Sequence, residues 1–203
     1  EDMVITYTSG GYIKRVPLDT YRAQKRGGRG RNGMDTKDTD LVKDVIIANT
    51  HDEILCFSSI GKVYKLKVHK LPSGNSDSKG RALINILPLE EREQISTILV
   101  LRQNEDLHNK TLVFVTSLGN VRRNKFEDFA SIQSNGKKAI KLETDVSLIN
   151  VMLANSDDDI FIATRNGICN RFAIDEIRIF ASRDSNGIRG IKLKSGDQVF
   201  STI

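Results

Sequence analysis

The stretch VITYTSGG, residues 4–11, recurs in outline three more times along the chain. The later copies are ILCFSSIG (54–61), LVFVTSLG (112–119) and IFIATRNG (160–167). Each copy is a short run rich in β-branched and aromatic residues that ends at a glycine, which is typical of a buried strand followed by a tight turn. The glycine supplies the positive φ that a short hairpin turn needs. The pattern therefore predicts four β-hairpins, one in each repeat.

A second strand follows each of these anchor glycines. Its four copies are YIKR (12–15), KVYK (62–65), NVRR (120–123) and ICNR (168–171). In every copy the second residue is apolar and the fourth is basic. We call the four equivalent basic residues the fourth-position cations; they are Arg15, Lys65, Arg123 and Arg171.

Two more features recur in each repeat. A basic, glycine-containing stretch appears as RGRNG (29–33), SKGRA (78–82), NGKKA (135–139) and NGIRG (186–190), and the last three lead into apolar runs at 83–86, 140–142 and 191–193 that we expect to be strands. Further strands are predicted to open at 42–45, 95–98, 148–151 and 200–203. The only helical turn that we expect lies within 125–131.

About four strands per repeat of roughly 50 residues is the pattern of a propeller blade. The sequence predicts an all-β, propeller-like array of about four four-stranded blades over residues 1–203. The approximate repeats are 1–40, 41–91, 92–144 and 145–196, and 197–203 begin a further repeat. Because the chain does not begin with Met and stops inside a repeat, we expect it to be a fragment.

A heptapeptide in the first repeat points to a family. It consists of Gln24, Lys25, Arg26, Gly27, Gly28, Arg29 and Gly30. All seven positions match the box of the DNA gyrase A subunit family, and the repeats resemble the C-terminal domain of that family along the whole chain. The resemblance implies a β-pinwheel, a propeller-like ring of usually six blades whose strands are exchanged between neighbours. The intact heptapeptide favours gyrase over topoisomerase IV, in which it is generally degenerate.

The heptapeptide also has the chemistry of a phosphate-binding segment. Glycines let the backbone approach a phosphate closely, and arginines add bidentate contacts. No aromatic residue is interleaved and no base-reading helix is apparent, so the expected contacts position DNA without reading it. Besides the heptapeptide, the candidate DNA-binding residues are Arg15, Arg31, Lys65, Lys79, Arg81, Arg123, Lys137, Lys138, Arg171 and Arg189. The residues alone leave other interpretations open: a solvated loop, an RNA-binding Arg-Gly-Gly tract, or solvated charges on outer strands.

Composition limits the class of protein. The chain has 31 basic and 26 acidic residues, a net charge of +5, and 38% hydrophobic residues, enough to bury a core. No apolar run is long enough to cross a membrane, and the N-terminus does not have the pattern of a signal peptide. The two cysteines, Cys56 and Cys169, lie in apolar stretches, so we expect both to be reduced, buried and unpaired in a cytoplasmic protein.

The resemblance implies a function. The segment would bind, bend and wrap duplex DNA without sequence specificity, so that bacterial gyrase, associated with the nucleoid, introduces negative supercoils. ATP and magnesium would be held by other domains, and the partners would be the breakage-reunion domain of the A subunit and the B subunit. The tyrosines at 7, 12, 21 and 64 lie in no catalytic context, and we expect no metal or cofactor here. The alternatives are the equivalent domain of topoisomerase IV, a protein-interaction propeller and a propeller enzyme.

Overall fold

The computed structural model describes residues 1–21 and 40–203. Strands and short 3-10 helices account for the regular structure of these residues, and they contain no α-helix. The strands are β1 (Asp2–Thr8), β2 (Tyr12–Pro17), β3 (Val42–Asn49), β4 (Glu53–Ser58), β5 (Lys62–Lys67), β6 (Arg81–Ala82), β7 (Ile95–Leu101), β8 (Thr111–Thr116), β9 (Asn120–Lys125), β10 (Lys137–Lys138), β11 (Leu148–Ala154), β12 (Asp159–Thr164), β13 (Cys169–Ala173), β14 (Ile188–Arg189) and β15 (Val199–Thr202). The 3-10 helices are Leu18–Thr20, Val68–Lys70, Leu83–Asn85, Phe126–Phe129 and Ile174–Glu176.

The strands form four sheets, each built around one predicted hairpin. Their strand orders are β3-β1-β2-β6, β7-β4-β5-β10, β11-β8-β9-β14 and β15-β12-β13. The strand pairs β1–β2, β8–β9 and β12–β13 are antiparallel, and the anchor glycines 11, 61, 119 and 167 have φ between 79° and 83°. The predicted hairpins, turn glycines and all-β fold class are confirmed.

Each four-stranded sheet takes its two edge strands from later in the chain. In the first sheet, Ile13 pairs with Arg81, and Tyr12 pairs with Ala82. The same exchange places β10 beside β5 and β14 beside β9. The strand exchange that the family resemblance implied is therefore present in three of the four sheets.

The apolar runs at 83–86, 140–142 and 191–193 are not strands, which corrects that prediction. The exchanged strands are only two residues long and come just before these runs. Beyond them, the carbonyl of an anchor glycine accepts the next backbone bond: Leu83 N donates to Gly11 O at 2.8 Å, and Ile191 N donates to Gly119 O at 3.3 Å. The apolar side chains at 83, 140 and 191 are buried beside the hairpin turns. They stabilise these turns and do not extend the strand pairing of the sheets.

The chain divides into two compact units. The first comprises residues 1–54, 66–91 and 100–104, and the second comprises 55–65, 92–99 and 105–203. In the first unit, Met3, Ile5 and Ile13 are fully buried. In the second, apolar residues of β8, β9, β12 and β15 form one cluster, and the rings of Phe57, Phe114 and Phe129 lie 5.6–6.4 Å apart.

The two cysteines differ in exposure. Cys56 is buried and free, as predicted, and its burial raises the pKa of the thiol to about 12. Cys169 is also free but exposed, so the prediction that it is buried was wrong. It lies on β13, an edge strand of the three-stranded sheet, where no exchanged strand of the described chain covers it.

Candidate nucleic-acid interface

The heptapeptide at 24–30 and the adjoining Arg31 lie outside the described residues, so their DNA-binding role stays a prediction. The residue that follows this part of the chain is firmly held. Asp40 accepts hydrogen bonds from Thr8 Oγ1 at 2.8 Å and from Gly10 N at 2.6 Å. Burial alone would raise the pKa of Asp40, but these bonds, with Ser9 and the charge of Lys79, lower it below its ordinary value. An ionised carboxylate thus caps the first hairpin turn.

Two of the fourth-position cations hold backbone carbonyls of the following repeat. Arg15 Nε donates to Leu71 O at 2.9 Å and Arg15 Nη2 to His69 O at 3.2 Å, at the end of the Val68–Lys70 helix. Arg123 is 5% exposed, and its Nη1 donates to Ile174 O at 3.1 Å. A guanidinium that is buried in this way cannot reach a phosphate. The contacts of Arg123 instead join its repeat to the following one.

The other two fourth-position cations are closer to solvent. Lys65 is half-buried, and its Nζ lies 3.4 Å from Ala130 O, just after the Phe126–Phe129 helix. Arg171 is exposed and forms an ion pair with Asp159, with Nη2 2.6 Å from Oδ2. Arg171 is therefore the fourth-position cation that a phosphate could approach most easily.

The sequence analysis missed the residue just before the fourth position. Lys14 and Arg122 are fully buried there. Lys14 Nζ donates to the carbonyl oxygens of residues 75, 76 and 78 at 2.6–3.0 Å. Arg122 donates to Arg183 O at 2.8 Å, to Ser185 O at 3.0 Å and to Ala139 O. The only signal in the sequence was the pair of basic doublets, 14–15 and 122–123.

Burial shifts the pKa values of both buried cations. Desolvation lowers the pKa of Lys14, although the charge of Asp77 acts in the opposite direction. Desolvation, followed by the charge of Arg183, lowers the pKa of Arg122 to about 10, against Asp184 and Asp128. The hydrogen bonds to the backbone carbonyl oxygens offset the free-energy cost of burying these two charges. The same bonds hold the loop that leads into an exchanged strand.

Five predicted DNA-binding cations lie on or beside the exchanged strands, and we call them the edge-strand cations. They are Lys79, Arg81, Lys137, Lys138 and Arg189. Arg81, Lys138 and Arg189 are exposed. Lys138 is paired with Asp184, the Nζ of Lys137 donates to Asp128 O at 2.8 Å, and Lys79 Nζ lies 3.7 Å from the centre of the Tyr12 ring.

A glycine precedes each exchanged strand and allows it to approach the hairpin. Gly80, Gly136 and Gly187 have φ of 81°, 83° and 89°. A Cβ atom on Gly187 would lie 2.1 Å from Val121 O, and one on Gly80 would lie 2.4 Å from Ile13 O. Only glycine fits both the backbone conformation and this separation. In the basic, glycine-containing stretches, the glycines thus allow close packing and the lysines and arginines supply positive charge.

The described residues contain no cluster of three or more His, Cys, Asp or Glu side chains that could hold a metal ion. No helix in this part of the chain is long and apolar enough to span a membrane. Tyr7 and Tyr64 are buried, and Tyr64 Oη donates to Glu93 at 3.0 Å.

The model of the DNA gyrase C-terminal domain, a β-propeller, matches residues 2–49, 52–102, 110–155 and 158–203. The chain belongs to this family. The predicted resemblance is confirmed, and the propeller description agrees with one hairpin-centred sheet per matched segment.

The chain is similar to known DNA gyrase A subunits over its full length. It is 48% identical to that of Rickettsia bellii over 202 residues, which are 99% of this chain and 22% of that protein. It is 38% identical to that of Escherichia coli K12 over 203 residues, which are 100% of this chain and 23% of that protein. The chain thus spans about a fifth of the length of these relatives.

Two solved structures are similar to the whole chain. The C-terminal domain of DNA topoisomerase IV gives a TM-score of 0.78 at 28% identity, with 60% of that chain covered. The DNA gyrase A C-terminal domain gives 0.76 at 26% identity, with 64% covered. The fold is therefore shared by the C-terminal domains of both enzymes.

Proposed function

We propose that this domain binds duplex DNA through its phosphates, without reading sequence, and bends it. The observation that carries the proposal is the placement of cations on the exchanged strands. Arg81, Lys138 and Arg189 are exposed on edge strands of three successive sheets. Arginine and lysine at such positions attract phosphates in any sequence.

The loops that lead to two of the exchanged strands are held by hydrogen bonds, which favours a DNA-binding surface over a loose basic loop. The loops before β6 and β14 are held from beneath by Lys14 and Arg122, which donate to their carbonyl oxygens. Gly80 and Gly187 let these strands lie close to the hairpin. Each of these two edge strands can therefore present its cation at a set place on its own sheet. Bending a site of 20–30 base pairs by 40–90° costs about 1–6 kcal/mol, which the contacts must offset.

In the whole enzyme, the domain would wrap DNA so that gyrase passes a neighbouring segment of the same molecule and introduces negative supercoils. ATP would be hydrolysed on the B subunit, and DNA would be cleaved by the breakage-reunion domain of the A subunit. The domain itself would be non-catalytic and hold no cofactor. It would act in the bacterial cytoplasm, on the nucleoid.

The similarity to the topoisomerase IV domain supports a second candidate function. That enzyme's domain has the same fold, with a TM-score of 0.78. The two functions differ in the reaction of the intact enzyme, because gyrase would supercoil relaxed plasmid with ATP, whereas topoisomerase IV would only relax and decatenate it. The intact heptapeptide at 24–30 favours gyrase.

The test replaces Lys25, Arg26 and Arg29 together with alanine. A bent duplex must be held at both ends of its arc, and these residues form the densest cationic cluster near one end of the repeats. We expect the variant to lose bending, measured by fluorescence transfer between labelled DNA ends, more completely than it loses binding, measured by anisotropy. Circular dichroism is the control for folding. A variant that bends DNA as well as the parent would contradict the role of residues 24–30.

A further inference from the structure

The carboxylate of Asp184 lies near several cations beside the exchanged strand β10. Lys138 Nζ forms an ion pair with Asp184 Oδ1, and both side chains are more than half exposed. Lys141 and Arg183 adjoin the pair, and Lys141 N donates to Arg183 O at 3.1 Å. The charges of Lys141 and Arg183 act on the carboxylate of Asp184 in addition to the ion pair with Lys138.

The loop that carries Asp184 is held in place from below. The buried Arg122 donates to Arg183 O at 2.8 Å and to Ser185 O at 3.0 Å, the carbonyls on either side of Asp184. Two residues after Asp184, Asn186 Nδ2 donates to Glu143 Oε1 at 2.6 Å. The carboxylate is thus positioned by a buried contact and not only by its own ion pair.

The surroundings keep this carboxylate charged. The hydrogen bond from Lys138, followed by the charge of Lys138, lowers the pKa of Asp184, and Lys141 and Arg183 act in the same direction. A carboxylate that accepts a hydrogen bond from a lysine on an exposed surface is chemically similar to a phosphate of the DNA backbone, since both accept charge-assisted N–H bonds.

We propose that Asp184 occupies the place of a phosphate at Lys138, beside Lys141 and Arg183, and that a backbone phosphate of duplex DNA displaces it. The inference rests on the proposed function and adds an intramolecular competitor to it. An exposed ion pair of this kind contributes up to about five-fold to an equilibrium constant, so a phosphate can replace it at small cost. Asp184 therefore weakens DNA binding by a set amount.

The test compares Asp184→Asn with the parent chain by fluorescence anisotropy, using a duplex of 30 base pairs at fixed salt. Removing the competitor should tighten binding by about three- to five-fold. Asp157→Asn is the matched control, because Asp157 is exposed and its replacement makes the same change in net charge. It should change affinity by less than about two-fold. Asp184→Glu, which keeps the carboxylate, should bind like the parent.

A second comparison assigns the effect to the ion pair. In a Lys138→Met background, Asp184→Asn should gain less than about two-fold, because the pair that it releases is already missing. Equal gains for Asp184→Asn and Asp157→Asn, or a full gain without Lys138, would overturn the inference while leaving DNA binding in place. Failure of the parent chain to bind any duplex at low salt would instead overturn the proposed function.

Discussion

At the scale of single residues, two buried cations hold the loops that lead to exposed cations. Arg122 is fully buried and donates to three backbone carbonyls, two of them in the loop that leads to Arg189. Lys14 does the same for the loop that leads to Arg81. A basic residue in these strands is thus a structural element, and its charge is satisfied inside the protein.

Replacing Arg122 with methionine should therefore destabilise the fold. Three carbonyl oxygens would lose their donor inside the protein, so the free energy of unfolding should fall by about 2–4 kcal/mol. Urea unfolding measures the change. Arg189→Met is the matched control, since Arg189 is exposed, and it should stay within about 0.5 kcal/mol of the parent. Equal stability of the two variants would contradict the structural role of Arg122.

Asp197 gives the fold a dependence on pH. Its Oδ1 accepts hydrogen bonds from Asn166 N at 3.1 Å and from Gln198 N at 2.9 Å. Burial alone would raise the pKa of Asp197, but these bonds and one from Thr164 lower it overall. Because the folded pKa is depressed, the ionised carboxylate stabilises the fold above its unfolded pKa of about 3.9, and this stability is lost as the pH falls through the folded pKa.

The Asp197→Asn variant should accordingly be less stable than the parent at pH 6, and the difference should narrow from about pH 4 downward. Denaturant unfolding at a series of pH values measures this. Asp175→Asn, at an exposed aspartate, serves as the control and should follow the parent at every pH. A difference for Asp197→Asn that stays constant between pH 6 and pH 3 would argue against an ionised cap.

At the scale of elements, the exchange of short strands depends on glycine. Gly187 has φ of 89°, and an added Cβ would meet Val121 O at 2.1 Å, whereas Gly196 has φ of 77° and open space around it. Gly187→Ala should lower the free energy of unfolding by about 2–4 kcal/mol, and Gly196→Ala by about 1 kcal/mol, since only the first adds a clash to the backbone strain. Thermal and urea unfolding would compare them, and equal losses would show that the close approach is unimportant.

The sequence predicted the hairpins correctly because their pairing is local. Each anchor strand carries its own apolar run, and each turn carries its own glycine, so nothing distant is needed. The exchanged strands could not be predicted from their pattern, because two residues are too few to alternate. Their partners lie far away in sequence, as in the pairing of Ile13 with Arg81. The apolar residues that follow them were therefore interpreted as strands.

The candidate interface was predictable in part. The edge-strand cations were identified from their glycine-containing stretches, and Arg81 and Arg189 are exposed there. The burial of Arg123 could not be foreseen, because it depends on carbonyls about 50 residues away, such as Ile174 O. A repeated basic residue identifies equivalent places in a repeat, but tertiary contacts decide whether its charge faces solvent.

At the scale of the whole molecule, the proposed function requires that DNA binding be electrostatic and independent of sequence. The net charge of +5 is modest, so the placement of the cations has to matter more than their number. Each phosphate neutralised on duplex DNA contributes about 0.9 to the slope of log affinity against log salt. The slope therefore shows whether replacing a given cation removes a phosphate contact or only lowers the net charge of the domain.

The most direct test is the salt dependence of duplex binding for a chain in which Arg81, Lys138 and Arg189 are all replaced with glutamine. The matched control replaces three exposed cations outside the exchanged strands, Lys67, Lys125 and Arg165, and makes the same change in net charge. We predict that the slope falls in magnitude by about 2.7 in the first variant and stays near the parent value in the control, with two unrelated duplex sequences giving the same result. Equal slopes in the two variants, or a strong preference for one duplex, would contradict the assignment of DNA binding to the edge-strand cations.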